Sequence, residues 1–329
     1  MALGYAREES ALFLKTLIGM NHPSFNVPTA ETMNRLLPAF AFSRLLVSNE
    51  LSAVYQARQR SLDRDVAIKI LSPQVSGDAR FRESFEATAR LMAKLNHPNL
   101  IGVYDSGIVE DMLYFVMEYI PGGSLESSLH GQGIDLTQAV RLTEGICKGL
   151  ANAHSHGIVH GNIKPSIILL NQKSEPKIGN FGFSHPILTE DSSTDSTHSC
   201  RAPEVDSHPD AADARSDVYS VGAILYQLVT GKPHSPDARP PSTYSKCGQS
   251  VDLLWKKATH PAPAQRYPDM RSLYTALTAA VKNQNDPRIS VPTSVIPGAR
   301  AVNPAPRSRP TISRPVPPRP RVTPRKQAP

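Results

Sequence analysis

Two asparagines and two lysines sit in the stretches of this 329-residue chain where side-chain chemistry is most concentrated. Asn162 and Lys164 lie in His160-Gly161-Asn162-Ile163-Lys164-Pro165, and Asn180 opens Asn180-Phe181-Gly182 eighteen residues after Asn162. Lys69 closes Val66-Ala67-Ile68-Lys69. An amide can orient a hydroxyl by hydrogen bonding, but it takes no proton at neutral pH. An amide oxygen can ligate Mg²⁺ but brings no charge, and Mg²⁺ favours carboxylate together with phosphate. The lysines offer cations to an anionic ligand, although a strand lysine also reads as a half-buried stem whose ammonium snorkels to water. Cys147, Cys200 and Cys247 show neither metal-ligand nor disulfide-framework spacing. The set points to binding and orientation rather than proton transfer.

These residues need elements to hold them. LLVSNELSAVYQAR followed by DVAIKIL reads as a three-strand meander, with turns near Ser48, Asn49 and Asp63. Phe81, Phe85, Ala89, Met92 and Leu95 fall at helical spacing, closed by His97-Pro98. NLIGVYDSGI and MLYFVMEYI complete a unit of five strands and one helix over residues 41–120. Residues 121–282 read as mostly helical. LTQAVRLTEGICKGLANAHSHG is a long amphipathic helix stopped by Gly157. DVYSVGAILYQLVTG is apolar nearly all round and hence buried, ending at Gly231. PDMRSLYTALTAAV is a third helix. Residues 1–40 form an N-terminal extension with an amphipathic helix (Leu12, Phe13, Leu17, Met20), read as packing on the domain surface.

Composition is globular, with 40% hydrophobic and 20% charged residues. The net charge of +7 is unevenly placed. Residues 286–329 hold nine Lys or Arg against Asp286, a net of +8, so the remainder stands at −1. A basic nucleic-acid-binding domain is therefore not indicated. Twelve of the thirty prolines also fall in 286–329, which predicts a disordered tail of polyproline character. The first reading of that tail is a solvated linker. Residues 315–318 also fit P-x-x-P and could serve a polyproline-binding partner, and the charge could draw the tail to an anionic surface. The longest helix-like apolar run, 220–231, falls short of the ~20 residues of a membrane span. Glu8, Glu9 and Lys15 make the N-terminus a poor signal peptide. A cytoplasmic protein with reduced cysteines is the expectation.

In order along the chain stand Val66-Ala67-Ile68-Lys69, Met117-Glu118-Tyr119, His160-Gly161-Asn162-Ile163-Lys164-Pro165, Asn180-Phe181-Gly182, Ala202-Pro203-Glu204 and Asp217-Val218-Tyr219-Ser220-Val221-Gly222. Over residues 41–282 the chain resembles a protein-kinase domain, most of all the bacterial Ser/Thr kinases of eukaryotic type. The resemblance implies an α+β, two-lobed fold: a small lobe (41–120) with a five-stranded antiparallel sheet and one helix, and a large, mainly helical lobe (121–282).

Position by position, the resemblance also implies that most of the phosphoryl-transfer machinery is degenerate. The three glycines of the phosphate-covering loop fall at Val47, Asn49 and Ser52. Lys69 matches the phosphate-holding lysine, but its glutamate partner falls at Thr88, with Glu83 and Glu86 at offsets that point elsewhere. The base position holds Asn162 and the arginine before it is Gly161. The two metal positions hold Ile167 and Asn180, so Mg²⁺ binding is not expected. Lys164 is retained. Val54, Ala67, Leu169, Met117 and Glu118, with Lys69, match nucleotide-binding positions, so ATP remains a candidate ligand though no cofactor is required. Met92, Val103, His160 and Phe181 match an apolar stack joining the lobes. Glu204 with Arg266, and Asp217 with the catalytic-loop backbone, match structural pairings. Features that hold the fold are kept, and those that handle phosphate and metal are lost.

That split predicts a pseudokinase, a scaffold or regulator in bacterial signalling whose partner is a protein, an active kinase being one candidate. The alternatives are a weak or unconventional Ser/Thr kinase and a Mg²⁺-independent nucleotide-sensing switch. TEDSSTDSTHS, between Asn180 and Glu204, reads first as a flexible polar loop and second as a phosphorylation target.

Overall fold

The computed structural model describes residues 25–129, 131–181, 199–208 and 211–282. The predicted helix near residues 12–20, nearly all of the Ser/Thr- and acid-rich stretch and the basic tail lie outside them.

Residues 40–118 build one antiparallel sheet in the order β1-β2-β3-β5-β4: β1 (Phe40–Ser48), β2 (Ser52–Gln59), β3 (Arg64–Leu71), β4 (Val103–Val109) and β5 (Met112–Glu118). The register gives the sheet two apolar faces. Tyr55, Ile68 and Val116 lie opposite one another on one face, and Val54, Lys69 and Phe115 on the other. This is why β3 reads as a nearly continuous apolar run: both of its faces are covered.

Helix α1 (Ala30–Leu36), capped by Thr29 accepting the Thr32 N–H at 3.1 Å, covers the first face. Met33 is fully buried there among Phe40, Phe42, Tyr55, Ile68 and Val116, and Phe25 and Val27 pack beside it. The small lobe therefore begins well before residue 41. Residues 25–40 are part of its core rather than part of an appended extension. After a short α2 (Pro73–Ser76), α3 (Ala79–Met92) covers the second face through Phe85 and Ala89, with the Phe85 and Phe115 rings 4.1 Å apart. The lobe thus carries two short helices besides the expected one. Helix α3 stops at Met92, three residues before Leu95.

The large lobe contains α4 (Leu125–Leu129), α5 (Leu136–Ser155), the small hairpin β6 (Ile168–Leu170) and β7 (Pro176–Ile178), α6 (Pro203–Ser207), α7 (Ala214–Thr230), α8 (Gly248–Ala258) and α9 (Met270–Lys282). Helix α7 opens with a capping box between Asp213 and Ser216, is buried on nearly every side, and ends at Gly231. Gly231 sits at φ 73°, and a Cβ there would meet the Gly133 nitrogen at 2.5 Å. A single core joins α5, α7, α8 and α9. The lobes are tied behind the cleft: Ile178 N donates to Asn99 O, and Ile101 N donates to Ile178 O, each at 2.9 Å. This is the predicted two-lobed α+β architecture.

Candidate functional site

The β1–β2 turn comes first, because a phosphate needs free backbone donors. Here the N–H groups of Asn49, Leu51 and Ser52 are already engaged. Asn49 Oδ1 accepts the N–H groups of Leu51 and Ser52, at 3.0 and 2.8 Å, and the Ser52 hydroxyl at 3.1 Å. Asn49 N in turn donates to Ser52 O at 2.9 Å. Leu51 is folded inward against Leu71, Val75 and Phe85. The turn is closed by its own side chain and pinned by an apolar plug.

Beneath it, Lys69 is buried on β3, opposite Val54 on β2 and Phe115 on β5. Its Nζ donates to Asn180 Oδ1 at 3.5 Å. Asn180 holds φ 59°, a left-handed conformation that asparagine tolerates better than most residues. On α3, Thr88 is half-buried, while Glu83 and Glu86 are exposed. Glu86 is engaged on the outer surface by Arg90 at 2.8 Å. The helix has not rotated to bring either carboxylate inward.

Lys69, Met92, Val103, Met117, Asn180 and Phe181 line one small cavity of about 20 Å³, room for roughly one water. Ile101, Phe115 and Gly179 complete the lining, and none of them was singled out from the sequence. The His160 and Phe181 rings stand 4.6 Å apart, so Met92, Val103, Phe181 and His160 form a continuous stack. His160 Nε2 bonds Gly179 O at 2.9 Å, and its Nδ1 accepts the Asn162 N–H at 3.3 Å. Burial holds this imidazole below its usual pKa, in the neutral form that both bonds require.

Asp217 sets the loop above α7. Its carboxylate accepts His160 N at 2.9 Å, Gly161 N at 2.7 Å and His154 Nε2 at 2.7 Å. Gly161 takes φ 70°, which suits glycine. Asn162 and Lys164 are both buried. Ile167 turns its side chain into the large-lobe core.

Of the remaining nucleotide-binding candidates, Ala67 lies opposite Met117 in the sheet, and Leu169 is half-buried on β6 beside Lys177. Glu118 departs from expectation. Its carboxylate turns away to Lys177 Nζ at 2.8 Å, where both groups are largely buried, and its backbone N–H donates to Gly102 O at 2.9 Å. The carboxylate bond crosses from β5 to β7 and leaves no local trace in the sequence. At the mouth, Arg44 bonds Gln56 Oε1 at 2.9 Å and Tyr119 Oη at 3.1 Å.

Glu204 and Arg266 form a bidentate pair at 2.6 and 2.7 Å. Arg266 is fully buried and also donates to the carbonyls of His260, Arg215 and Pro261, which occupies all its N–H groups. Burial would raise the Glu204 carboxyl. The Arg266 bonds, its own backbone and the Ser216 hydroxyl outweigh that and hold it below the usual range.

A family model described as the protein kinase domain matches residues 42–294. The chain belongs to the protein kinase family. Curated members of that family include the serine/threonine-protein kinase PknB of Mycobacterium leprae, 35% identical over 243 residues, covering 66% of this chain and 39% of that protein. PknB of Mycolicibacterium smegmatis is 31% identical over 262 residues, covering 72% and 42%. The chain thus spans about two fifths of the length of these relatives. A crystal structure of the PknI kinase domain of Mycobacterium tuberculosis covers 79% of this chain and all of its own, with TM-score 0.62 and 21% identity, a likeness of fold. Among the described residues of this kinase-family chain, no helix is long and apolar enough to cross a membrane. No cluster of metal-ligating side chains occurs among them either.

Proposed function

We propose that this member of the protein kinase family acts as a pseudokinase, a regulator that binds a protein partner in bacterial signalling and transfers phosphate at a negligible rate. The observation that carries this reading is the closed β1–β2 turn. Asn49 takes up the Leu51 and Ser52 N–H groups, two backbone donors of the loop that would cover a phosphate, and the other losses agree with it. Asn162 accepts no proton at neutral pH, and Asn180 and Ile167 supply no anionic ligand to Mg²⁺. Loss of a positioned base alone costs about 10²–10⁴ in rate, and loss of an electrostatic stabiliser about 10²–10³. The retained groups all hold the lobes in place: Asp217 under the loop, Arg266 with Glu204, and the stack from Met92 to His160.

A second reading is a Ser/Thr kinase with weak or unconventional phosphotransfer. The relatives' names favour it, since each is called a serine/threonine-protein kinase. Buried Lys69 and Lys164 would hold ATP and Asn162 would orient the acceptor hydroxyl. A phosphotransfer assay with γ-labelled ATP and Mg²⁺ on the full chain, alone and with a generic protein acceptor, separates the two. Label at background level supports the regulator. Label that disappears in Lys69→Ala supports the kinase.

A further inference from the structure

Residues 177–180, which run from β7 into the cleft, are fixed to the large lobe through their backbone. Ile178 pairs with Ile168 of β6, its N–H donates to Asn99 O at 2.9 Å, and its carbonyl accepts Ile101 N at 2.9 Å. Gly179 O accepts His160 Nε2 at 2.9 Å. Leu100, between Asn99 and Ile101, is buried in the large-lobe core. The side chains at the two ends of the segment reach the other way. Lys177 Nζ meets the Glu118 carboxylate at 2.8 Å, at the end of β5. Asn180 Oδ1 accepts Lys69 Nζ of β3 at 3.5 Å. Strands β3 and β5 are neighbours in the small-lobe sheet. A four-residue segment of the large lobe is gripped at both ends by one sheet of the small lobe.

We propose that these two contacts form a latch that holds the lobes at one angle with no nucleotide in the cleft, and that the rear end of the latch, Glu118 with Lys177, supplies most of the hold. The two ends differ in chemistry. At the rear, opposite charges meet where Lys177 is 13% and Glu118 28% exposed, so salt screens them little and parting them strands two poorly solvated ions. The rear end is also backed by neighbours. Lys177 Nζ donates to Leu100 O at 3.5 Å, Gly102 N donates to Glu118 Oε2 at 3.4 Å, and Glu118 N donates to Gly102 O at 2.9 Å. At the front, a cation meets a neutral amide at the long end of hydrogen-bond length.

Opening the cleft lengthens the Lys69–Asn180 contact, because the two residues face each other across it. Swinging the end of β5 off β7 parts Glu118 from Lys177. The stack of Met92 and Val103 with Phe181 and His160 crosses between the lobes at the same place, and Phe181 follows Asn180 directly, so the latch keeps that stack assembled. The two lobes then present one fixed surface. The latch stands on these contacts whether or not the chain transfers phosphate.

The test is the distance between the lobes in the full chain without nucleotide, measured by double electron–electron resonance. Spin labels are attached through Leu62→Cys, in the β2–β3 turn of the small lobe, and Leu253→Cys, on α8 of the large lobe, positions 61% and 65% exposed. Cys147, Cys200 and Cys247 are buried, so the introduced thiols take the labels. The expected result is one narrow distance distribution in the labelled chain, widened about twofold or more by Glu118→Gln and by Lys177→Met, and widened less by Lys69→Met. Glu118→Gln combined with Lys177→Met leaves no unpaired charge, so the double variant serves if either single variant fails to fold, and it should be as wide as the singles. A distribution already broad with the pair intact, or one that stays narrow when the pair is removed, overturns the latch. A wider distribution in Lys69→Met than in Lys177→Met overturns the assignment of the main hold to the rear end.

Discussion

Lys69 on β3 and Asn180 just after β7 meet across the cleft, Nζ to Oδ1 at 3.5 Å. The contact joins the two lobes through a cation and a neutral amide. An ammonium beside a carboxylate and a metal would form a charged centre, whereas this pair forms a polar strut over a cavity large enough for one water.

Restoring carboxylates at two positions should not restore a kinase. Asn162→Asp with Asn180→Asp returns the base and one metal ligand. Ile167, Thr88 and the closed Asn49 turn remain. Phosphotransfer by the double variant is expected to stay within a few-fold of background. Strong autophosphorylation would show that those three positions matter less than their geometry suggests.

The Asn49 cap can be removed alone. Asn49→Ala leaves the Leu51 and Ser52 N–H groups without their acceptor. The expected cost is about 1 kcal/mol in denaturant unfolding, with faster amide exchange at 51 and 52. If exchange there is unchanged, the side chain is not what closes the turn.

Glu204→Ala leaves Arg266 buried and uncompensated. The expected loss is about 3–5 kcal/mol, among the largest for any single site in the large lobe. The acid dependence follows from the sign of the shift. Glu204 has a lowered pKa in the folded chain, so its stabilisation is full above the unfolded carboxylate's value near 4.5 and is lost as pH falls below that. Glu204→Gln should flatten the stability curve between about pH 5 and 3. A curve as steep as the wild type's would contradict the pairing.

Met33→Ala should cost about 2–5 kcal/mol, the usual range for a buried methionine. Met33 is fully buried in the small-lobe core. A melting temperature within a degree of wild type would mean that α1 is not part of that core.

Much of this was legible in the residues. The period of two in β2, the two-sided apolar run of β3, and the glycine stops at Gly157 and Gly231 are local patterns, and the elements follow them. The residue types at Asn162, Ile167 and Asn180 are likewise read directly from the sequence. Long-range contacts were less legible. Residues 25–37 read as part of an N-terminal extension until the apolar face of β2 and β3 is seen to need a cover. Glu118 reads as a cleft residue until Lys177 claims its carboxylate. The Asn49 cap lay in between: asparagine three residues before serine is an Asx-turn signal, but only the structure shows the donors consumed.

The central claim is that the phosphate- and metal-handling half of the cleft is built over. The most direct measurement is the thermal stability of the full chain in millimolar ATP, with and without Mg²⁺. A ligand at 100 times its Kd stabilises by about 2.7 kcal/mol, so binding would be plain. The account predicts that Mg²⁺ leaves the melting temperature in ATP unchanged, whether or not ATP itself shifts it. A shift that appears only when Mg²⁺ is present would contradict it.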